Sequence, residues 1–398
     1  MNRFNLTLCS CVLAGLILGA FSSLFAQDLT ITNARIIVGN GTVIDNGSIV
    51  IRGGKIGSAA AGKPATTAGQ VIDAKGMSAM PGYIDAHKHI NNFKADQMQD
   101  LLEAGYTTIL AGGGSAESVA TLRDQIESGA MNGPRLIVSG PVNVRMGADI
   151  ARQQVDDLAA KGVKWTGEIG LTPEPGPSAT EIEGLKAAVD EGVRKGVTIQ
   201  VHAVSVPAMM AAIDAGARHL VHVPNKGWVT VADAQKLTAT GTHILGTIGF
   251  GAPVFGVFAD DNKPRFRDGK PWPASISGAG ILDGVAVGQE IGYTIVNSRT
   301  IWDTGGILGY CTDDGYEARA GLEHELRTYN VMFSMKDIVK LMGPHTADYL
   351  AMSDQLGTLE PGKLADIVLQ EGNPMEGYWN WLKVKVVVKG GKVAVDKR

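Results

Sequence analysis

Eight short apolar segments, each followed by a stretch of helical character, constrain the fold of this chain more than any other feature. Apolar strands that alternate with helices are typical of a parallel α/β fold, and eight such units predict a closed (β/α)8 barrel. A capping box of Thr180 and Glu183 is predicted to open the helix Glu181–Lys195. The predicted strands are Tyr83–His89, Tyr106–Ala111, Arg135–Gly140, Val163–Ile169, Val197–Ala203, Arg218–Val223, His243–Ile248 and Ile307–Asp313.

The two ends of the chain differ from this middle region. Short strand-like runs separated by Gly-Gly and Asn-Gly turns occupy residues 27–81, and similar runs recur near the C-terminus. Neither end carries a cluster of metal-ligand residue types. We predict that both ends build one small sheet domain.

The first 26 residues have the composition of an export signal. Arg3 gives a basic start, an apolar run extends from about Cys11 to Phe25, and Ala26 precedes polar Gln27. The run is shorter than the roughly 20 residues that a membrane-spanning helix needs. We therefore predict cleavage after Ala26, a periplasmic or secreted protein, and no permanent membrane anchor.

Composition narrows the class of partner. The chain has 398 residues and a net charge of −4, without the basic run that tracks phosphates, which argues against nucleic-acid binding. The expected partner is a small molecule, and the oligomeric state stays open, with a homo-oligomer as one alternative. Cys9 and Cys11 would leave with the signal, so Cys311 remains alone, as a buried thiol without a disulfide.

Metal-ligand residue types gather at the ends of the predicted strands. His87 and His89 alternate on one face of the first strand, with Lys88 opposite. Further candidates follow at or near the C-terminal ends of later strands, which is the end where barrel active sites assemble. They are Glu168, His202, His222 and Asp313. Imidazoles and carboxylates at converging strand ends favour a divalent metal. Four other histidines, at positions 219, 243, 324 and 345, are interpreted as structural. Of these, His324 is the one most expected to contact the metal ligands.

Two motifs resemble the amidohydrolase superfamily. One is the segment Met80-Pro-Gly-Tyr-Ile-Asp-Ala-His-Lys-His89, and the other is the tail Leu356-Gly-Thr-Leu-Glu-Pro-Gly-Lys-Leu-Ala-Asp-Ile-Val-Leu369. The resemblance covers essentially all of the chain after the signal. It implies a distorted TIM-like barrel over residues 82–351, flanked by a β-sandwich made from residues 27–81 and 352–398.

The resemblance also implies a ligand set. The histidines of strands 1, 5 and 6 and the aspartate of strand 8 match His87, His89, His202, His222 and Asp313. Many relatives bridge two metals with a carboxylated lysine on strand 4. This strand offers Lys164 and Glu168 on one face, and its Gly-Glu-Ile-Gly segment resembles the enamidase and adenine deaminase branches, where a glutamate bridges. Glu168 is the favoured bridge, with Lys164 as the alternative.

Such a site implies two divalent metal ions. Zinc is the expected metal, and iron and manganese are the alternatives. His87, His89 and Asp313 would hold one ion, and His202 and His222 the other. A water shared by two cations has its pKa lowered toward about 7, and Asp313 would carry its proton to the leaving nitrogen. The implied function is an exported amidohydrolase that hydrolyses a cyclic amide or other carboxamide. The alternatives are a heterocycle deaminase, a lactonase and a non-catalytic metal-binding relative.

Two further expectations concern the surroundings of this site. Asp314 should face away from Asp313, because successive strand residues alternate. The long loop from Phe250 to Ser277 follows the seventh strand, and loops at this end of a barrel determine specificity.

The export prediction can be tested directly. Because the apolar run ends at Ala26, protein made in a bacterium with a working export pathway should begin at Gln27. Mass spectrometry of the purified chain measures this. Retention of residues 1–26 in a membrane fraction would show instead that the segment is an anchor.

Overall fold

A computed structural model describes residues 28–249, 284–313 and 318–398 of this chain. The predicted signal segment, the loop from Phe250 to Ser277 and Asp314 therefore lie outside the described residues. Two groups of strands stand out: a mixed sheet built from both ends of the chain, and parallel strands between them.

Seventeen strands are described, and they are β1 (Leu29–Ile37), β2 (Val43–Arg52), β3 (Lys55–Ala61), β4 (Gln70–Asp73), β5 (Ser78–Pro81), β6 (Tyr83–Lys88), β7 (Tyr106–Ala111), β8 (Arg135–Ile137), β9 (Ser139–Gly140), β10 (Trp165–Gly170), β11 (Thr198–His202), β12 (His219–Val221), β13 (His243–Gly246), β14 (Ile307–Tyr310), β15 (Ile367–Gln370), β16 (Val384–Lys389) and β17 (Lys392–Asp396). The α-helices among the described residues are α1 (Ala95–Ala104), α2 (Ala116–Glu127), α3 (Ala148–Ala160), α4 (Ala179–Lys195), α5 (Val206–Asp214), α6 (Val231–Ala239), α7 (Gly284–Asp303), α8 (Ala318–Met332), α9 (Met335–Lys340) and α10 (Thr346–Tyr349). One short π-helix, Leu341–His345, joins α9 to α10.

The parallel strands form two sheets. One has the order β6-β7-β8, and the other has the order β14-β13-β12-β11-β10-β9. An isolated parallel bridge between Lys88 and Asp313 connects the end of β6 to the residues after β14. Most of these strands alternate with helices, as the sequence predicts, so the mixed α/β class with parallel sheets is confirmed.

The mixed sheet joins the two ends of the chain. Its order is β17-β16-β15-β5-β1-β2-β3, and β4 pairs with β1. The antiparallel pairing of β5 with β15 places Pro81 opposite Ile367, which brings the start of the parallel region beside the C-terminal strands. Alternating apolar side chains of these strands pack into a core of their own, which includes Ile31, Ile49 and Val386.

A second core lies among the parallel strands. Ile84, Leu110, Val221 and Leu245 come from four different strands and pack together with Tyr349 of α10. Cys311 belongs to the same cluster and is the free, buried thiol that the sequence predicts. Among the described helices, none combines the length and the apolar character that crossing a membrane requires.

The predicted strands are found, but most are shorter than expected. The predicted segment Arg135–Gly140 is divided into β8 and β9, and β14 ends at Tyr310 instead of Asp313. The predicted capping box was wrong by two residues. Helix α4 begins at Ala179 and is capped by Ser178, whose side chain accepts from the Glu181 amide while the Glu181 side chain bonds the Ser178 amide.

The Glu181 side chain makes further contacts besides those of the capping box. Its carboxylate accepts hydrogen bonds from Thr172 and Ser178 and pairs with Arg145. Burial raises the pKa of Glu181, but the hydrogen bonds outweigh burial and lower the pKa to about 2. The stabilisation by this carboxylate is therefore present above the ordinary pKa of 4.5 and is lost as the pH falls toward 2.

The cap generates a stability prediction. Glu181→Ala should lower the free energy of unfolding by about 2 kcal/mol at pH 7, because it removes charge-assisted hydrogen bonds from a buried helix start. Glu183→Ala is the matched control and should change it by less than about 0.5 kcal/mol, because Glu183 is exposed. Urea unfolding of the two variants measures both values. Equal effects of the two substitutions would contradict the cap at Ser178.

Candidate metal centre

The candidate metal centre is built around a backbone contact between the end of β6 and the residues that follow β14. The backbone amide of Asp313 donates to the carbonyl of His87 at 2.9 Å. Buried Asp85 reinforces this contact, since its carboxylate accepts from the Thr312 amide at 3.1 Å and the Thr312 hydroxyl at 2.6 Å. The Lys88 ammonium donates to the same hydroxyl at 2.9 Å, so Lys88 is buried in this network. The chain positions of His87 and Asp313 are thereby fixed against each other.

His87 is oriented by a hydrogen-bonded chain of side chains. Its Nδ1 lies 3.2 Å from Oε1 of Gln200, and Nε2 of Gln200 donates to the Tyr349 hydroxyl at 2.9 Å. The Gln200 oxygen can only accept, so Nδ1 carries a proton, and Nε2 is the ring nitrogen that faces Asp313. That Nε2 is buried and makes no hydrogen bond of good geometry with the described residues, although Oδ1 of Asp313 lies 3.2 Å away.

Glu168 of β10 lies at the middle of the centre. Its Oε2 is 2.6 Å from Nδ1 of His202 and 3.3 Å from Nε2 of His222, whereas its Oε1 is 3.5 Å from Nε2 of His89. The Glu168 amide donates to the carbonyl of Gly112 at 3.0 Å. A side chain at Gly112 would lie 2.8 Å from the His87 ring, so this close approach requires glycine.

Two of these residues adopt unusual backbone conformations. His222 has φ of 71° and Asp313 has φ of 63°, in the left-handed region that residues other than glycine rarely enter. Backbone strain of this kind costs roughly 1–3 kcal/mol and concentrates at functional sites. Nδ1 of His222 contacts the Thr247 hydroxyl at 2.5 Å, which directs its Nε2 toward Glu168.

The electrostatics of the centre favour a cation. Burial raises the pKa of Glu168, but contacts with His202, His222 and His89 more than reverse this and hold the pKa far below its usual range. Asp313 behaves in the same way, because His87 and His89 outweigh its burial. Asp313 and then Glu168 raise the pKa of His89 to about 10. Two carboxylates that hold a proton on an imidazole this strongly would also attract a metal ion.

All six predicted site residues come together here. Asp313 Oδ1 also contacts Nε2 of His89 at 3.1 Å, so the two carboxylates between them contact all four histidines. Lys164 is not among them, because it is exposed just before β10 begins. His219 and His243 pair with each other at the opposite, N-terminal ends of β12 and β13.

Sequence reasoning missed the residues that orient the histidines. Gln200 lies two positions before His202 on the same strand, so strand alternation could have placed it on the same face. Thr247 follows the end of β13, and no spacing in the sequence relates it to His222. Gly112 follows β7 directly and carries no signal beyond its neighbouring glycines.

The donor set fits divalent metal ions. One ligand atom each from His87, Glu168, His222 and Asp313 lies within 4.8 Å of all the others. Imidazole and carboxylate ligands suit zinc, iron or manganese. The buried Nε2 of His87 supports this, because a polar atom without a hydrogen bond is costly in an interior and a metal would satisfy it. The Nδ1–H of the same ring is held by Gln200, as is usual for a metal-binding histidine.

This chain is similar to known proteins in both sequence and fold. It belongs to the amidohydrolase family, whose family model matches residues 78–394. The urease subunit alpha of Staphylococcus aureus (strain MRSA252) is 24% identical over an alignment of 428 residues, which covers 99% of this chain and 69% of that protein. The family places this protein among hydrolases with metal-binding relatives.

Solved structures show the same fold. A Xaa-Pro dipeptidase with bound methionine superposes with a TM-score of 0.77 at 21% identity, covering 92% of this chain and 99% of that one. The ochratoxinase of A. niger superposes with a TM-score of 0.75 at 16% identity, covering 94% and 96% of the two chains. At these identities the similarity shows the fold alone.

The centre generates a prediction of metal content. Protein loaded with zinc or manganese should hold close to two ions per chain by elemental analysis, because six candidate ligands from five strand ends converge. Glu168→Ala should lose at least one ion, since Glu168 contacts histidines on both sides. Lys164→Ala is the control and should keep both. A fully loaded Glu168→Ala protein together with metal loss in Lys164→Ala would move the bridge to lysine.

Proposed function

We propose that this protein hydrolyses an amide C–N bond of a small molecule with the help of two divalent metal ions. The observation that carries the proposal is the convergence of four imidazoles on Glu168 and Asp313 at the C-terminal ends of parallel strands. Family membership supports hydrolysis as the reaction class. Zinc is the proposed metal, with iron and manganese as alternatives that fit the same ligands.

The contacts support an assignment of ligands to two half-sites. His87 and His89 both lie against Oδ1 of Asp313, so these three residues would hold one ion. His202 and His222 both lie against Oε2 of Glu168 and would hold the other. Oε1 of Glu168 lies 3.5 Å from His89, and Oε2 lies 3.5 Å from His87 as well as against His202 and His222. This carboxylate therefore contacts histidines of both half-sites and would bridge them.

The chain's own residues would position and move the proton. When bound, the two cations would supply Lewis acidity that activates water and polarises the amide carbonyl. Oδ1 of Asp313 is engaged by His87 and His89, whereas its Oδ2 is 3.9 Å from His222 and has freedom to accept a proton. Asp313 would take the proton from the attacking water and pass it to the leaving nitrogen. An amine leaves poorly unless it is protonated, so amide cleavage needs this transfer.

We also propose how the two groups of strands are arranged, which branch of the family the chain is near, and where the protein acts. The bridge between Lys88 and Asp313 and the shared core around Tyr349 support closure of the parallel strands into a TIM-like barrel. The mixed sheet from both chain ends supports a β-sandwich beside it. The Gly-Glu-Ile-Gly segment supports a place near the enamidase and adenine deaminase branches. Export to the periplasm or medium rests on residues 1–26.

The substrate class can be tested by a screen of metal-loaded protein. Cyclic amides and linear carboxamides are the expected substrates, and Xaa-Pro dipeptides belong in the screen because a Xaa-Pro dipeptidase shares the fold. Release of amine and carboxylate, lost on chelation and restored by metal, would support the proposal. Turnover only of lactones or of amino-substituted heterocycles would identify a lactonase or a deaminase. A fully loaded protein that turns over none of these compounds would favour a non-catalytic relative.

The proton role of Asp313 has its own test. Asp313→Asn keeps the shape and one coordinating oxygen but cannot carry the proton, so turnover should fall about 10²- to 10⁴-fold. Elemental analysis should find most of the metal retained. Asp354→Asn is the control, because Asp354 is an exposed residue far along the chain from the centre, and its turnover should match the wild type. Wild-type turnover in metal-loaded Asp313→Asn would exclude the proton role.

A further inference from the structure

A cavity of about 790 Å³ lies away from the metal centre. Its lining comes from the turn between β1 and β2, from α9 and the π-helix, and from Gly305 and Gly306, which precede β14. Those glycines lead into the N-terminal end of β14, whereas Asp313 follows its C-terminal end. The cavity and the metal centre therefore lie at opposite ends of the parallel strands. Its volume is in the range that holds a drug-sized molecule.

The cavity wall carries an excess of positive charge. Lys336 and Lys340 both line it, and they lie four residues apart on α9, so their side chains share one face of the helix. Both lysine side chains are exposed. Asp337 is the acidic residue of the lining, and its Oδ2 accepts hydrogen bonds from the amide and hydroxyl of Ser334 at the helix start. This wall would attract an anion.

An aromatic surface lies beside these lysines. The half-buried indole of Trp302 lines the cavity, and Nζ of Lys340 is 5.5 Å from the centre of its ring. Phe333 and His345 pack against the indole, with ring centres 5.0 Å and 5.3 Å from its own. A planar ring entering the cavity would meet a wall that is already held in place.

His345 adds a hydrogen-bond acceptor. Its Nδ1 lies 3.2 Å from the carbonyl of Leu308, which can only accept, so Nδ1 is the protonated nitrogen. Burial is the largest cause that lowers the pKa of His345 to about 4, so the ring is neutral at pH 7. Nε2 therefore keeps a lone pair, and no described residue donates to it. A ligand with an N–H or O–H group would satisfy this lone pair.

We propose that this cavity is a second small-molecule site, which binds an aromatic carboxylate bearing an N–H or O–H donor. The carboxylate would lie between Lys336 and Lys340, the ring would pack on Trp302, and the donor would face His345. The site is separate from the proposed hydrolytic centre, so it does not depend on the reaction assigned there.

Indole-3-acetate is a suitable probe because it combines all three features. Calorimetry on the metal-loaded full chain should detect binding of indole-3-acetate, weaker binding of 1-naphthaleneacetate, which lacks the N–H, and no binding of acetate. The double substitution of Lys336→Gln and Lys340→Gln should weaken indole-3-acetate about tenfold or more, since it removes both charge-assisted contacts. Lys63→Gln is the matched control, an exposed lysine outside the cavity, and should bind as the wild type does.

Two further measurements separate this site from the metal centre. Trp302→Ala should weaken the binding of indole-3-acetate about tenfold in the same calorimetry, because it removes the ring on which the probe packs. Glu168→Ala should leave the affinity for the probe within about twofold, because Glu168 lies at the other end of the strands. Loss of binding in Glu168→Ala with full binding in the double lysine variant would place the probe at the metal centre and overturn the proposal. No binding of indole-3-acetate at millimolar concentration would overturn it as well.

Discussion

The hydrogen bond from the Asp313 amide to the His87 carbonyl is the contact on which the rest of the centre depends. It joins the end of the first parallel strand to the residues after the last one, although these lie far apart in the sequence. Asp85, Thr312 and Lys88 form a buried polar network around it, in which Asp85 alone accepts three hydrogen bonds. Burying a carboxylate and an ammonium is costly unless they are paired and hydrogen-bonded, so this network holds only one arrangement of the two strand ends. The positions of the ligands follow from that arrangement.

The left-handed backbone conformations of His222 and Asp313 also help to position their side chains at the centre. His222 immediately follows β12, and Asp313 lies three residues after the end of β14, so both lie where the regular alternation of side chains has ended. An extended conformation at Asp313 would have directed its carboxylate by strand alternation alone. The positive φ instead turns the chain at the point where Oδ1 meets His87 and His89. The strain is offset by contacts that only this geometry permits, which is the usual reason for strain to persist at a functional site.

Much of the parallel region and the residues that converge at the candidate centre could be predicted from the sequence, for reasons that are local. Apolar strands alternate with helical segments, and ligand residue types cluster at the strand ends. The remainder depends on contacts between distant segments. Ser178 with Glu181 and Thr180 with Glu183 match the capping pattern equally well, and the choice between them is made by Thr172 and Arg145, which bond Glu181 from elsewhere. The pairing of β5 with β15 and the role of Gln200 behind His87 depend on long-range packing in the same way.

Strand β14 runs between the cavity and the metal centre. The Leu308 carbonyl near its start accepts from His345 in the cavity wall, and Asp313 follows its end in the metal centre. A ligand in the cavity could influence the centre only if its affinity differed between two states of this strand, because a ligand that binds both states equally shifts neither. Such a coupling would be reciprocal, so metal loading would then change the affinity of the cavity by the same factor. The contacts around β14 oppose a large coupling: the strand is paired along its length with β13, its core residues are fully buried, and its end is fixed by the Asp85 network. Binding without regulation is therefore the simpler expectation for the second site.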